Sequence, residues 1–266
     1  MVTSNKIGQL EYLTAEGISA PHCFTTRMGG VSTGALSSLN IGTSRGDARA
    51  NVLENYRILG DALGFSPENV VLSRQVHSDI VHTATVRDRG AGLFGPPLDS
   101  CDALITNTPG LALVVFTADC TPILLHDPVT GAVGAVHAGW RGTVAAIAAR
   151  TVEAMGKEFG SRPEDIRAAV GPNVGFCHFE TDGDVPAALY DAFGKPMEAF
   201  IRPVGEKYYV DLKAVNEWVL REAGVRQVEV STECTMCRPD RFWSHRVTGG
   251  IRGSQGAVIL RREEAI

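Results

Sequence analysis

The stretch Cys120-Thr-Pro-Ile-Leu-Leu-His-Asp-Pro-Val-Thr-Gly-Ala-Val-Gly-Ala-Val-His137 consists of two apolar runs separated by Asp127-Pro-Val-Thr-Gly131. Asp, Pro and Gly favour turns, so this stretch is predicted to be a β-hairpin. With the turn centred just after Pro128, Cys120 is expected to lie opposite His137. Opposed side chains start about 5 Å apart at Cβ, so one metal ion would reach both. The pairing depends on the register, and a shift by one residue would separate them.

Further strands and several helices are predicted on both sides of this hairpin. Apolar residues spaced by three and four predict helices at 50–63, 143–159, 185–193 and 212–222, each followed within two residues by glycine. Short runs rich in β-branched residues predict strands at 70–76, 80–86, 103–106, 111–117, 123–126, 132–137, 166–170, 208–210, 225–230 and 257–260. This pattern predicts an α/β fold, a single layered domain with mixed, largely antiparallel β-sheet and flanking helices.

Composition and charge limit the classes of protein to consider. The 266 residues are 44% hydrophobic and carry no repeat or linker, so one domain spanning residues 1–266 is expected. A net charge of −5 gives no reason to expect a nucleic-acid partner. No apolar stretch approaches the roughly 20 residues of a membrane span, and the N-terminus lacks a signal sequence. A cytoplasmic location with reduced cysteines follows as the expectation.

The converging thiol and imidazole of the hairpin suit a metal site. Zinc in catalytic sites is usually held by three protein ligands, with a fourth position left open. The sequence leaves the third ligand open between His77, His82 and His126, and His77 directly follows the predicted strand 70–76. The competing interpretation makes Cys120 a small buried residue and each histidine an ordinary hydrogen-bonded side chain.

Two glycine-containing segments suggest a ligand-binding role. After His137, the sequence Ala-Gly-Trp-Arg-Gly-Thr143 leads into a predicted helix. The N-terminus of that helix and the guanidinium of Arg141 are expected to bind an anion beside the metal. The second segment, Arg27-Met-Gly-Gly-Val-Ser-Thr-Gly34 with Ser37-Ser-Leu-Asn40, has the flexible backbone and polar groups of a binding loop. Neither segment contains a Walker or dinucleotide fingerprint.

Together these segments resemble the family variously called laccase-domain proteins, multicopper polyphenol oxidases, purine nucleoside phosphorylases and peptidoglycan editing factors. The matching motifs are Arg27-Met-Gly-Gly-Val-Ser32, Ser38-Leu-Asn40, Gln75-Val-His77, Ala118-Asp-Cys120, His137-Ala-Gly-Trp-Arg-Gly142, Gly171-Pro-Asn-Val-Gly175 and Arg241-Phe-Trp-Ser-His-Arg246. They span nearly the whole chain. The resemblance implies that zinc is bound by His77, Cys120 and His137, which selects His77 as the third ligand.

The resemblance also implies an activity. It is zinc-dependent phosphorolysis of adenosine, inosine and methylthioadenosine, with adenosine deamination as a companion hydrolase activity. Copper and polyphenol oxidation fit less well, because a multicopper enzyme needs histidine clusters that seven scattered histidines do not supply. Nucleoside and phosphate are then the expected partners of a monomer or small homo-oligomer, with no nucleic acid and no membrane. Substrate or phosphate binding is expected at Arg27, Ser38, Asn40, Gln75 and Arg141, and catalytic roles at Cys120, Asp119 and Arg141.

Within this scheme Asp119, or a polar neighbour, is expected to move a proton. Two rival activities use the same site: a thiol hydrolase with Cys120 as the nucleophile and His137 as its base, and an enzyme that edits peptidoglycan precursors.

A further rival concerns His178-Phe-Glu180 and Cys234-Thr-Met-Cys237, which imitate parts of a cytidine-deaminase zinc site. It is disfavoured because neither motif opens a predicted helix. Many members of the family have a cysteine at the position of His178, so no role of that cysteine carries over to this chain. Cys234 and Cys237 are expected to pack in the interior, with a redox pair as the alternative.

Overall fold

The computed structural model describes residues 1–262. Its strands are β1 (Val2–Ile7), β2 (Leu10–Ala15), β3 (His22–Thr25), β4 (Val70–Val71), β5 (Val81–Thr83), β6 (Ala103–Thr106), β7 (Ala112–Thr117), β8 (Thr121–His126), β9 (Val133–Ala138), β10 (Arg167–Val170), β11 (Glu180–Thr181), β12 (Ile201–Val204), β13 (Lys207–Val210), β14 (Gln227–Val230) and β15 (Gln255–Leu260). Its α-helices are α1 (Arg49–Leu63), α2 (Trp140–Val144), α3 (Ile147–Phe159), α4 (Asp184–Phe193), α5 (Leu212–Glu222) and α6 (His245–Thr248).

Two large sheets and one small sheet organise the chain. The first sheet has the strand order β1-β2-β3-β15-β7-β4, the second β14-β10-β8-β9-β6-β5, and the small one β11-β13-β12. Only the pairs β4 with β7, β5 with β6 and β10 with β14 are parallel among the paired strands of residues 1–262. The predicted α/β fold with mixed, largely antiparallel sheet and flanking helices is therefore confirmed.

The two large sheets pack face to face, and helices cover their outer sides. On β7, Leu113 and Val115 belong to the core between the sheets. The alternating residues Ala112 and Val114 belong to a second core, against α1. A third core lies between the second sheet and helices α3, α4 and α5. Because successive side chains of a strand point to opposite faces, burial on both faces produces the continuous apolar runs of the central strands.

The predicted hairpin is formed by β8 and β9, but its predicted register is wrong by two residues. His137 pairs with Pro122 instead of Cys120. The amide of Asp127 donates to the carbonyl of Ala132, which makes 128–131 a four-residue loop and moves its centre along the chain. A shift of two preserves the side of the sheet on which each residue lies. Cys120 and His137 therefore still share one side.

The long helix predicted at 143–159 is interrupted. Helix α2 ends at Val144, and Ala146 has φ +55°, a left-handed conformation that stops the helical ladder before α3 begins. The other three predicted helices agree with the structure to within one residue at each end, and the short α6 was not predicted. The expected cap of α5 is present, because the Asp211 side chain accepts a hydrogen bond from the amide of Ala214 at 3.1 Å.

The strand predicted at 70–76 is reduced to β4. Beyond Val71 the amides of Leu72 and Arg74 bond to the carbonyls of Ala91 and Leu98, and the amide of Val76 bonds to a buried carboxylate. Strands β1, β2, β3, β11 and β12 were not predicted. The polar sequence of β1 conceals it, since this strand is the edge of its sheet and pairs with β2 alone. Among residues 1–262, no helix has both the length and the apolar character needed to cross a membrane.

Candidate metal centre and substrate cavity

The site lies where the chain crosses from one large sheet to the other. Strand β7 of the first sheet ends at Thr117 and β8 of the second begins at Thr121, so Ala118-Asp-Cys120 makes the whole crossing. Asp119 has φ +85°, a conformation that an L residue adopts at a cost. This sharp turn delivers the Cys120 thiol to the end of the space between the sheets.

Three potential metal ligands converge at this point. The Sγ of Cys120 lies 3.7 Å from Nε2 of His77, and the ligand atoms of His77, Cys120 and His137 all lie within 4.8 Å of one another. The two imidazole rings meet edge to face, with centroids 4.9 Å apart. His137 is buried and His77 is exposed, so an ion between them would be open to solvent on one side.

A buried carboxylate that the sequence analysis did not identify orders two of these ligands. Asp102 Oδ1 accepts a 2.8 Å hydrogen bond from Nδ1 of His137, which leaves Nε2 of that ring free for a metal. The same carboxylate accepts the amides of Val76, His77 and Ser78 at 3.1, 3.0 and 2.7 Å. Its only sequence signal is an acidic residue directly before the apolar strand β6.

The electrostatics of the site favour charged ligands. Burial raises the pKa of Asp102, but hydrogen bonds from His137 and Ser78 outweigh it and hold that pKa well below its usual range. Burial likewise raises the pKa of the Cys120 thiol, and the nearby His137 outweighs it and lowers the pKa. Such a site stabilises a thiolate, which is the form of cysteine that binds metals.

The close packing of the centre requires a glycine. A Cβ atom on Gly139 would lie 2.5 Å from Cδ2 of His77 and 3.4 Å from Sγ of Cys120. Any larger residue would therefore displace the His77 ring. This requirement explains why glycine stands between β9 and α2.

A cavity of about 380 Å³ opens directly onto the three ligands. Its wall combines Phe116 with three arginines, Arg45, Arg74 and Arg252. Arg252 is only 8% exposed, and its Nε has no hydrogen-bond partner among residues 1–262. Burial and then the proximity of Arg45 lower the pKa of this guanidinium to about 10, so it remains charged at neutral pH. No short sequence pattern predicts this cationic wall, because its three arginines lie far apart in the chain.

Three polar residues proposed from the sequence as ligand-binding, Gln75, Asn40 and Ser38, lie at different distances from the cavity. Gln75 lines the cavity, and its amide exchanges two hydrogen bonds with the backbone of Phe116, at 2.8 and 2.7 Å. Asn40 Oδ1 accepts the amide of the cavity residue Ser254 at 2.9 Å. The Ser38 hydroxyl accepts the amides of Gly29 and Gly30 and so orders the glycine-rich arm.

Arg27 and Arg141, the two arginines proposed from the sequence, are not among the residues of 1–262 that line the cavity. Each of them stacks on a tryptophan instead. The guanidinium of Arg27 lies 3.9 Å from the ring centre of Trp243, and that of Arg141 lies 4.1 Å from that of Trp140. Their phosphate-binding roles stay predictions.

Asp119 is fully engaged by the surrounding loops. Its Oδ1 accepts the Thr235 hydroxyl at 2.6 Å, and its Oδ2 accepts the Ser244 hydroxyl at 3.1 Å and the Arg246 amide at 2.9 Å. These contacts fix the carboxylate beside the crossing, where it supports the left-handed turn. The expected role of Asp119 in moving a proton stays a prediction.

Comparison with known proteins gives the family. The family model described as "Multi-copper polyphenol oxidoreductase laccase" matches residues 21–262. This chain belongs to that laccase-domain family. The predicted family membership is therefore confirmed.

Similar proteins of the laccase-domain family extend over almost the full length. The chain is 40% identical over 257 residues to a purine nucleoside phosphorylase of Deinococcus radiodurans, covering 96% of this chain and 95% of that protein. It is 38% identical over 245 residues to the purine nucleoside phosphorylase YlmD of Geobacillus stearothermophilus, covering 90% and 89%. The crystal structure of YlmD from the same organism superposes with a TM-score of 0.91 at 35% identity, covering 98% of this chain and 99% of that one.

In this laccase-domain chain, His82 and His126 do not belong to the cluster of His77, Cys120 and His137. His82 lies on β5, and His126 ends β8 at the opposite end of that strand from Cys120. The structure thus assembles one Cys and two His side chains from three separate segments, next to an arginine-walled cavity.

Proposed function

We propose that the chain is a zinc-dependent purine nucleoside phosphorylase acting on adenosine, inosine and methylthioadenosine, with adenosine deamination as a companion activity. The observation that carries the proposal is the open three-ligand cluster at the end of a cavity with buried cationic charge. The names of the relatives support the phosphorylase part of the proposal.

The donor set favours zinc as the metal. Zinc binds both imidazole and thiolate ligands, and three protein ligands leave one coordination position open, as in catalytic zinc sites. A multicopper enzyme needs additional histidine-rich centres close by. Within residues 1–262, the other Cys/His cluster contains three cysteines and a single histidine, which does not supply such a centre.

Arg252 is the proposed phosphate anchor. Its buried charge, unpaired Nε and proximity to Arg45 make a dianion in the cavity electrostatically favourable. Phe116 offers an aromatic surface against which a purine can pack. We propose that phosphate lies against Arg252 and Arg45, while Gln75 and Asn40 support the walls through the contacts described above.

Phosphorolysis forms a bond between a phosphate oxygen and C1′ of the ribose, and breaks the bond from C1′ to the purine nitrogen. The base leaves with the electron pair and takes up a proton, giving free base and sugar 1-phosphate. When bound, zinc supplies a Lewis acid that polarises a coordinated substrate atom or water. Asp102 holds the His137 ring in the orientation that this requires. In deamination, water instead replaces the amino group of adenosine and ammonia leaves.

The test is to incubate the zinc-loaded protein with adenosine and with inosine, with and without phosphate, and to identify the products by chromatography. Free base that forms only with phosphate and is lost in Cys120→Ala supports phosphorolysis. Inosine formed from adenosine without phosphate reports deamination. Absence of free base under all these conditions contradicts the proposal.

A thiol hydrolase is the second candidate, because Asp102, His137 and Cys120 lie in the order of a nucleophile triad. Iodoacetamide separates the two. A zinc-bound Cys120 thiolate should react only after chelation, whereas a free nucleophile should react at once. Immediate labelling together with ester or amide hydrolysis would favour the hydrolase.

A further inference from the structure

A second group of metal-binding side chains lies outside the site described above. Cys177 and His178 come from the loop between β10 and β11, and Cys234 and Cys237 from the segment after β14. One ligand atom of each lies within 4.8 Å of all the others. Cys234 is buried as expected, but Cys237 and Cys177 are exposed, so packing in the interior does not explain them.

Three of four ligand separations match the edges of a zinc tetrahedron, and the fourth, between neighbours in the chain, is shorter. Sγ of Cys177 lies 3.6 Å from Sγ of Cys237, and Nδ1 of His178 lies 3.1, 3.7 and 3.5 Å from the sulfurs of Cys177, Cys234 and Cys237. Zinc bonds of about 2.3 Å to sulfur and 2.0 Å to nitrogen place tetrahedral ligands roughly 3.5–3.8 Å apart. Three sulfurs and one nitrogen thus surround a space of the size of one ion.

The surrounding backbone is arranged to stabilise a thiolate. The amide of Gly175 donates to Sγ of Cys234 at 3.2 Å. The backbone of Met236 and Cys237 also hydrogen-bonds to this sulfur. Amide donors around the first sulfur of a Cys-x-x-Cys turn favour the charged form that binds metal.

We propose that Cys177, His178, Cys234 and Cys237 bind a zinc ion in a closed structural site, distinct from the three-ligand centre. Four protein ligands leave no position for water or substrate, which is the arrangement of structural zinc. Three thiolates and one imidazole would give the bound ion a complete coordination shell at the protein surface.

The contacts of this cluster indicate what the second ion would hold together. Next to Cys234, the amide of Thr235 donates to the carbonyl of Asn173 at 2.9 Å, which joins the two ligand-bearing segments. The Thr235 hydroxyl then reaches Asp119, beside Cys120. The proposed zinc ion therefore fastens together the two loops that support the crossing, and it acts as a structural support of the first centre.

The first test is differential alkylation of the purified protein with iodoacetamide, followed by peptide mass spectrometry. We expect Cys177, Cys234 and Cys237 to be protected until a chelator is added, without any need for a reductant. Protection that only a reductant removes would identify a disulfide and overturn the proposal. Immediate labelling of exposed Cys177 and Cys237 in zinc-replete protein would overturn it as well. Because Cys120 lies in a different peptide, the two sites are read separately.

The second test measures zinc content after purification without chelators. Two zinc ions per chain are expected in the unaltered protein, one for each Cys/His cluster. The double variant Cys177→Ser/Cys237→Ser should lose one of them and keep the other, and its two altered side chains are exposed, so no core cavity forms. Cys23→Ala removes a cysteine that belongs to neither cluster and should keep both ions. An unchanged zinc content in the double variant would contradict the proposal, whatever the catalytic activity.

Discussion

At the scale of single residues, Asp102 is the side chain on which the geometry of the first centre depends. It contacts the His137 ring and also the three successive backbone amides that hold His77 in its left-handed conformation. Two ligands that are 60 positions apart in the sequence are thus oriented by a single carboxylate. Such supporting hydrogen bonds fix the ring orientation and raise the basicity of a metal ligand.

Replacement of this carboxylate should weaken metal binding. Asp102→Asn keeps the shape of the side chain but replaces one acceptor oxygen with an NH2 donor. This donor would face the backbone amides or the His137 ring nitrogen, which are themselves donors to Asp102. We expect zinc affinity to fall about 10- to 100-fold. Competition with a chromophoric chelator measures it. Asp99→Asn, an equal change at an exposed position, is the control, and equal affinities in both variants would refute this role.

At the scale of elements, the break between α2 and α3 has a backbone cause that can be tested. Ala146 occupies the left-handed region, whereas Ala154 lies in the middle of α3. A left-handed conformation costs an L residue roughly 1–2 kcal/mol and costs glycine much less.

Glycine substitutions at these two positions should have opposite effects. We expect Ala146→Gly to raise the free energy of unfolding by about 0.5–1 kcal/mol, because glycine relieves the left-handed conformation. Ala154→Gly should lower it by about 1 kcal/mol, because glycine is a poor helix former. Urea unfolding of both variants and the parent supplies the measurement. Destabilisation by both changes to the same extent would show that the conformation at position 146 carries no such cost.

At the scale of the whole molecule, two buried histidines lie in the packed layers away from the metal centre. His126 is 6% exposed, and burial followed by the charge of Arg167 lowers its pKa to about 4. Burial also lowers the pKa of His22. The Nε2 of His22 accepts the Ala15 amide at 2.9 Å, a bond that requires the neutral ring.

These histidines should make the fold sensitive to acid. Because their folded-state pKa lies below the ordinary value of about 6.5, the unfolded chain binds the protons more tightly. The stabilisation is therefore fully present above pH 6.5 and is lost as the pH falls toward 4. We expect His126 to account for about 1–2 kcal/mol of the difference in unfolding free energy between pH 7 and pH 5.

Urea unfolding at both pH values, in excess chelator so that metal release does not contribute, measures this dependence. His126→Gln should reduce the difference, and the same change at the exposed His245 controls for loss of an imidazole elsewhere. A pH dependence that is the same in His126→Gln as in the parent would rule out the contribution of His126.

The sequence by itself predicted most of the local elements and, through the family motifs, the three side chains expected to bind the metal. The run from 120 to 137 predicted its hairpin because turn residues between apolar runs act over a few positions. Helix α5 followed from its spacing and its aspartate cap for the same reason. Family motifs selected His77 from three candidate histidines, which the spacing of residues could not do.

Only the tertiary structure decided how distant segments meet. The two-residue correction of the hairpin register depended on the length of the loop. The shortening of β4 depended on the carbonyls of Ala91 and Leu98, which lie about 20 positions away in the sequence. Asp102, Arg252 and the cluster around His178 became visible only when the sheets brought separate segments together. Local propensity acts between neighbours in the chain, whereas these sites arise from contacts across layers that no short sequence pattern encodes.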